Sequence, residues 1–202
     1  MRVLSGIQPT GYLHIGNYFG ALKNWVKIQN NNDKPFETYY MIADIHSLTS
    51  NQAAYKTEIN DYIYNMIVNM LAAGIDPKKS VVFLQSDIAE HSELHTLLSM
   101  ITPVSWCERN PTYKEKMEEI KGKDLDNMGF LGYPILQTAD IALYKADRVP
   151  VGKDQLPHLE LAREIIRRFN YIYQSDALIE PQPILAEVPK INGIDGTSAR
   201  IG

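Results

Sequence analysis

Cysteine is almost absent from this chain: Cys107 stands alone among 202 residues. A lone thiol excludes an internal disulfide framework and a multi-cysteine metal site, and it fits a reducing, cytoplasmic setting. Its simplest reading is a small apolar residue of the core. Long apolar runs are missing too. None approaches the roughly 18 residues that span a bilayer, and the first residues lack the basic-then-apolar pattern of a secretory signal. Surplus positive charge is the third absence. Lys and Arg total 20 against 24 Asp and Glu, a net charge of −4, which argues against a broadly basic surface for coating nucleic acid but leaves room for a local basic face. Internal repeats and low-complexity tracts are not visible. With 45% hydrophobic and 22% charged residues, the balance is that of a soluble globular protein, and the length suits one domain with a sizeable core.

Along the chain, short apolar segments alternate with helical patterns. Val3-Leu4 precedes the glycine-containing turn "GIQPTGYLHIGN" at residues 6–17. Ile15, Phe19, Leu22 and Val26 follow at helical spacing, and that helix should start at Gly16-Asn17 and run out in the polar cluster of residues 30–33. Residues 39–43 are apolar without alternation, as in a strand covered on both faces. Ile59, Ile63, Met66, Ile67, Met70 and Leu71 form one side of a second helix, closed by Gly74 with Pro77 just beyond. Residues 81–84 read as a third buried strand. Strand–helix–strand–helix–strand predicts an α/β fold: a Rossmann-like, doubly wound parallel sheet with helices on both faces. Further on, helices are expected over 91–101, 133–144 and 154–169, with a fourth strand at 149–151. The charged stretch 113–126 reads as a solvated face, and the tail, with Pro181, Pro183 and Pro189, reads as extended or turn-like.

The turn at 6–17 sits where a strand hands over to a helix, a place where backbone N–H groups and the helix dipole favour an anion. Two phosphate-binding templates fail on it. Gly11 and Gly16 have the spacing of a P-loop, but Asn17 and Tyr18 stand where Lys and Ser/Thr must be. A dinucleotide fingerprint needs a Gly-x-Gly pair, which Gly6, Gly11 and Gly16 do not supply. The remaining template is a His-x-Gly-His-type turn, here His14-Ile15-Gly16-Asn17.

With these residues in view, "SGIQPTGYLHIGNYFGAL" (5–22) resembles the start of bacterial-type and mitochondrial tryptophanyl-tRNA synthetases, members of the class I aminoacyl-tRNA synthetases. "GYPILQTADIALYKADRVPVGKDQLPHLELAREIIRRFN" (132–170) is similar to the same family's second conserved block almost throughout, and "MIADIHSLT" and "AAGIDPKKSVVFLQSD" match between them. The resemblance implies a class I catalytic domain over 1–196, with 103–132 as a connecting insertion. It implies activation of L-tryptophan by ATP to tryptophanyl-adenylate, then transfer to tRNA(Trp). Mg²⁺ would arrive with ATP, held mainly by phosphates and water, so no protein metal site is expected. A homodimer is expected as well.

The same resemblance assigns residues. Gln8, Pro9, Thr10, Gly16 and Asn17 would line the ATP site, with His14 and Asn17 as the catalytic pair near the phosphates. Gly152, Lys153 and Asp154 would complete the ATP side, while Tyr133 and Gln155 meet the substrate amino group. Gln8 also borders the tryptophan. Asp140 is the residue read most directly from chemistry. Tyr133, Gln137 and Asp140 are spaced four and three, so they share a helix face. A carboxylate on a helix otherwise built from Ile135, Leu136, Ile141 and Leu143 is costly without a partner. That partner is a backbone amide, an Arg, or the indole N–H that the family's equivalent Asp recognises. "YPILQTAD" also has the spacing tyrosyl enzymes use; "VPVGKDQLPHLELAREI" follows the tryptophanyl pattern instead. His46 and His158 stand between pocket wall and structural packing. Arg163, Arg167 and Arg168, interleaved with Glu160 and Glu164, read as a solvated helix surface rather than a phosphate stripe.

The resemblance breaks at the tail. The family has a Lys-Met-Ser-Lys-Ser loop soon after "GIDG" (193–196), whereas residues 197–202 read "TSARIG", and the helical anticodon-binding domain is absent from the sequence. Whether the chain is an aberrant core, a fragment or a tryptophan- and nucleotide-binding protein without chemistry stays open at this point. The 202 residues alone are expected to bind tryptophan and ATP but to activate tryptophan slowly, because lost cationic contacts to developing charge typically cost orders of magnitude in rate.

Overall fold

Five strands lie side by side, all parallel, in the order β3-β2-β1-β4-β5. They are β1 (Arg2–Ile7), β2 (Glu37–Ile42), β3 (Ser80–Leu84), β4 (Arg148–Val151) and β5 (Gln182–Leu185). The structure is a computed structural model that describes residues 1–33, 35–50, 58–111, 113, 127–152 and 155–185. Its helices are α1 (Ile15–Asn17), which passes through a π-helical Tyr18–Leu22 into α2 (Lys23–Gln29), then α3 (Asp44–Ser50), α4 (Ile59–Ala72), α5 (Glu90–Ser99), α6 (Val104–Glu108), α7 (Met128–Leu143) and α8 (Leu156–Tyr173). Among these residues, no helix is long and apolar enough to cross a membrane.

Successive side chains of a strand point to opposite faces, and both faces of this sheet are covered. On one side Tyr40 and Ile42 pack with Leu22, Trp25, Met66, Met70 and Ile75. Trp25 lies flat on Tyr40, with ring centroids 4.6 Å apart, and the Tyr40 hydroxyl donates to the Trp25 carbonyl at 2.8 Å. On the other side Tyr39 and Phe83 meet Leu4, Ile141, Val149, Val151 and Leu159. A third cluster, Leu98, Cys107, Ile135, Ala139, Leu161 and Ile165, joins α5, α6, α7 and α8. The doubly wound parallel sheet read from the sequence is therefore the architecture, and Cys107 is a buried core residue.

One strand expectation needs correction and another is sharpened. β3 is not buried on both faces: it is an edge strand, paired only with β2, and Val81 is 51% exposed. An apolar run of four residues has the same local signature at an edge as in the interior. The tail segment read as extended or turn-like contains β5, paired in register with β4 from Gln182 opposite Arg148 to Leu185 opposite Val151. Pro183 cannot donate to a ladder, and an edge position is where a sheet tolerates that. The helical expectations hold closely, with α7 beginning earlier, at Met128, and carrying Pro134 inside it. α6 and the first turn of α7 fall within the 103–132 span read as an insertion.

The stop of α4 is set by one glycine. The Ile75 N–H bonds the Met70 carbonyl and the Gly74 N–H bonds the Leu71 carbonyl, both at 3.0 Å, which is a Schellman closure. Gly74 has φ +107°, and a Cβ there would meet only Val26 methyls at 3.6–3.7 Å. Space is available, so the backbone conformation is the constraint. Gly74→Ala is expected to lower the unfolding free energy by about 1–3 kcal/mol, read from urea denaturation, whereas a neutral effect would show that the turn relaxes.

Candidate functional site

In parallel α/β sheets the crevice outside the carboxyl ends of the strands, where strand order reverses, is where ligands bind. Here the reversal lies between β1 and β4, which are neighbours in the sheet while β2 and β3 extend one way and β5 the other. The segments leaving these carboxyl ends hold Gln8 to Asn17 after β1, Asp44 and His46 after β2, Gln85 after β3, and Gly152 after β4.

At the centre is Asp140, 2% exposed on α7. Its Oδ1 accepts from Gln85 Nε2 at 2.8 Å and from His91 Nδ1 at 2.6 Å, and its Oδ2 accepts from His46 Nε2 at 2.8 Å. Gln85 in turn accepts the His46 backbone N–H through Oε1 at 3.2 Å. His91 Nε2 lies 2.8 Å from the Tyr144 hydroxyl, and the imidazole packs against the Phe83 and Tyr144 rings. An ionised carboxylate oxygen can only accept, so His91 carries a proton on Nδ1, facing Asp140. Nε2 of the neutral ring is then an acceptor for the Tyr144 hydroxyl, a phenol whose pKa burial raises. Burial by itself would raise the Asp140 carboxyl, but the electrostatic attraction and hydrogen bond of His46, then the hydrogen bond of the His91 Nδ1–H, outweigh it and hold the group below its ordinary value of 3.8.

One turn beyond His91, His95 is half-buried beside Gly132, where a Cβ would come 3.6 Å from its Nε2. Burial, then the proximity of His46, lowers its pKa, which favours the neutral ring.

The second half of the site is a helix cap. His14 Nδ1 accepts from the Gly16 N–H at 3.1 Å, and the His14 backbone N–H donates to Asn17 Oδ1 at 2.9 Å. This reciprocal capping box fixes both side chains. With Nδ1 accepting, neutral His14 carries its proton on Nε2. With Oδ1 turned inward, the Asn17 amide keeps its NH₂ group as a donor. The mouth of the helical run 15–29 thus offers side-chain and backbone donors together, a combination suited to an anion. A cleft of about 340 Å³ beside the cap is lined by Leu13, His14, Ile15, Tyr18, Leu22, Asn69, Ala72 and Ala73. It shares no residue with the Asp140 cluster.

Of the residues singled out from sequence, Gln8 and Thr10 are exposed just past β1 and Pro9 is buried. The Thr10 N–H bonds the Gln8 carbonyl at 2.9 Å. Tyr133 is buried, with its hydroxyl 3.2 Å from His158 Nε2, and Gln137 is half-buried on the same helix. Gly152 directly follows β4, and Gln155 is the N-cap residue of α8. Lys153, Asp154, "GIDG" and the tail 197–202 lie outside the described residues, as does most of 113–126. Among the described residues Asp140 bonds neither a backbone amide nor an Arg, the internal partners considered from sequence; it holds two histidines and a glutamine. His46 and His158 are both buried and hydrogen-bonded inside the fold. Arg163 and Arg167 pair with Glu160 and Glu180 at 2.6–3.3 Å, and Arg168 bonds the Ile101 carbonyl. Sequence reasoning missed Gln85, His91, His95 and Tyr144 as site residues. One signal was available: Gln85 is the first polar residue after an apolar strand of a parallel sheet, where ligand-facing groups emerge.

Comparison with known proteins fits this geometry. A family model described as class I tRNA synthetases (W and Y) matches residues 1–199. A tryptophan–tRNA ligase of Thermotoga maritima is 52% identical over 196 residues, covering 97% of this chain and 58% of that protein. One from Ralstonia nicotianae is 48% identical, covering 95% of this chain and 46% of the relative. Among solved structures, the tryptophanyl-tRNA synthetase of Campylobacter jejuni complexed with ADP and tryptophan superposes with a TM-score of 0.86 at 39% identity, over all of this chain and 60% of that one. The chain thus spans about half the length of these curated relatives.

A depressed carboxyl pKa in the folded state contributes stability that is present above the unfolded value and lost as pH falls through the folded one. The urea midpoint is therefore expected to fall as pH drops below about 3.8. Asp140→Asn should flatten that part of the profile while lowering stability at pH 7. An unchanged acid limb in Asp140→Asn would show that other carboxylates control it.

Proposed function

The chain belongs to the class I tRNA synthetases of the tryptophan and tyrosine branch, and from that premise we propose that it forms the amino-acid-activating site of a tryptophan–tRNA ligase. In this reading a carboxylate oxygen of L-tryptophan attacks the α-phosphorus of ATP. The Pα–O bond to pyrophosphate breaks, and tryptophanyl-adenylate forms. A ribose hydroxyl at the 3′ end of tRNA(Trp) then attacks the acyl carbon, the bond from that carbon to the phosphate oxygen breaks and AMP leaves, in a cytoplasmic enzyme. Chemistry of this type depends on positioning and charge stabilisation more than on covalent catalysis.

The observation that carries the proposal is the buried carboxylate of Asp140. Oδ1 takes two donors and Oδ2 one, so Oδ2 keeps acceptor capacity for a further N–H. An indole is a flat apolar ring with one donor at its edge, and a carboxylate set in an apolar wall selects that combination. At the other half of the site, the Nε2–H of His14, the Asn17 amide and the N-terminal backbone amides would meet the ATP phosphates. Gln8, Pro9, Thr10, Gly16, Gly152, Lys153 and Asp154 would border the nucleotide. Tyr133, Gln137 and Gln155 would border the substrate around its amino group. Among the described residues there is no group of three or more His, Cys, Asp or Glu side chains able to hold a metal. Mg²⁺ would enter with ATP, held by phosphate oxygens and water.

A phenol hydroxyl can also donate to a carboxylate, so a tyrosine-activating core is the competing reading, favoured by the Tyr133, Gln137, Asp140 spacing. Calorimetric titration of the chain separates the two. Tryptophan is expected to bind at least about 10²-fold tighter than tyrosine, and Asp140→Ala should erase most of that preference. Tighter binding of tyrosine would sink the tryptophan reading.

We propose further that two copies pair through the end of α5, α6 and the start of α7. Leu97, Met100, Val104 and Met128 are all exposed on these segments, and large apolar side chains left in water favour association. Light scattering should give a dimer mass, and Met100→Asp should shift it toward the monomer; a wild-type monomer at tens of micromolar would refute pairing through this face.

A further inference from the structure

Taking the reading of Asp140 as the indole acceptor, we propose that Gln85, His91 and Tyr144 are positioning residues. They clamp Oδ1 and so aim Oδ2 at the indole N–H. The terminal torsion of an aspartate is broad and roughly two-fold, so the side chain alone does not decide where its free lone pair points. The clamp does. Gln85 Nε2 at 2.8 Å and His91 Nδ1 at 2.6 Å both fall on Oδ1, which occupies the acceptor positions of that oxygen and stops the carboxylate from turning. His46, the one donor to Oδ2 among the described residues, leaves that oxygen able to accept once more.

Tyr144 acts one step further out. Its hydroxyl, 2.8 Å from His91 Nε2, holds the imidazole in the tautomer that carries a proton on Nδ1. In the other tautomer a lone pair on Nδ1 would face Oδ1, and the carboxylate would be pushed out of its setting. The ring is also held sterically, since His91 is fully buried between Phe83 and Tyr144. Tyr144 and His91 touch Asp140's environment from behind, so their effect on the substrate passes through the carboxylate.

The discriminating measurement is the ratio of dissociation constants for tryptophan and its benzothienyl analogue, 3-(benzothiophen-3-yl)alanine, in which sulfur replaces the indole N–H. A residue with only a structural role would weaken both ligands together. For the wild-type chain a preference for tryptophan of about 10²-fold is expected. His91→Leu and Gln85→Leu should each shrink that ratio about tenfold, and Tyr144→Phe severalfold, with the benzothienyl analogue little affected. His91→Asn, whose amide nitrogen reproduces the Nδ1–H donor, should restore most of the ratio. If His91→Leu does not fold, Tyr144→Phe and Gln85→Leu decide the matter: wild-type ratios in both, in folded protein, overturn the clamp. Asp140→Ala separates the two levels. A collapsed ratio in Asp140→Ala with unchanged ratios in the clamp variants rejects positioning alone. A wild-type ratio in Asp140→Ala, or no preference in the wild type, rejects the indole reading beneath it.

Discussion

A carboxylate removed from water inside a protein is tolerated only when its lost hydration is replaced group for group, and Asp140 meets that condition with three side-chain donors. The replacement constrains more than the aspartate. His46 must sit at the start of α3, Gln85 at the exit of β3, and His91 within the first turn of α5, each with its donor turned inward. Leaving one of these buried donors unpaired costs roughly 1–3 kcal/mol, so the four residues stand or fall as a unit. α7 is thereby tied to the elements that follow β2 and β3 by polar contacts as well as by apolar packing.

The cap at the exit of β1 follows a different logic. His14 and Asn17 satisfy each other's backbone at short range, within four residues, and need nothing from the rest of the chain to do so. Strand order then brings the two halves into register. Because β1 and β4 are adjacent, the cap and Gly152 border the same crevice. One half of the site is thus a local motif and the other a long-range assembly.

That division explains what could be read in the sequence. The α4 pattern and its stop at Gly74, the strands at β1, β2 and β4, and the His14-Ile15-Gly16-Asn17 cap all rest on neighbours a few positions apart, and the structure keeps them. The importance of Asp140 was also legible, because a charge on an apolar helix face is a local anomaly. Its partners were not. Gln85 and His91 lie 55 and 49 positions away; the place of Gln85 at the end of an apolar strand is a local hint, and nothing in the neighbours of His91 marks it. The edge position of β3 escaped for the same reason: whether a strand has one neighbour or two depends on residues far from it. β5 was hidden behind its prolines, which argue against a strand until the edge position is known.

The span of the Asp140 cluster has a consequence for how the protein matures. His46 and Asp140 are separated by 94 positions, and closing so long a loop carries an entropic cost that is recovered only when the intervening elements are already packed. By this cost the Asp140 cluster is expected to form late in folding, whereas the cap at β1 needs no long-range contact. A ligand that binds across both halves selects chains that have completed the long-range step, and adds its binding free energy to the whole fold rather than to one segment. Ligand occupancy and completion of folding are, for this architecture, coupled equilibria.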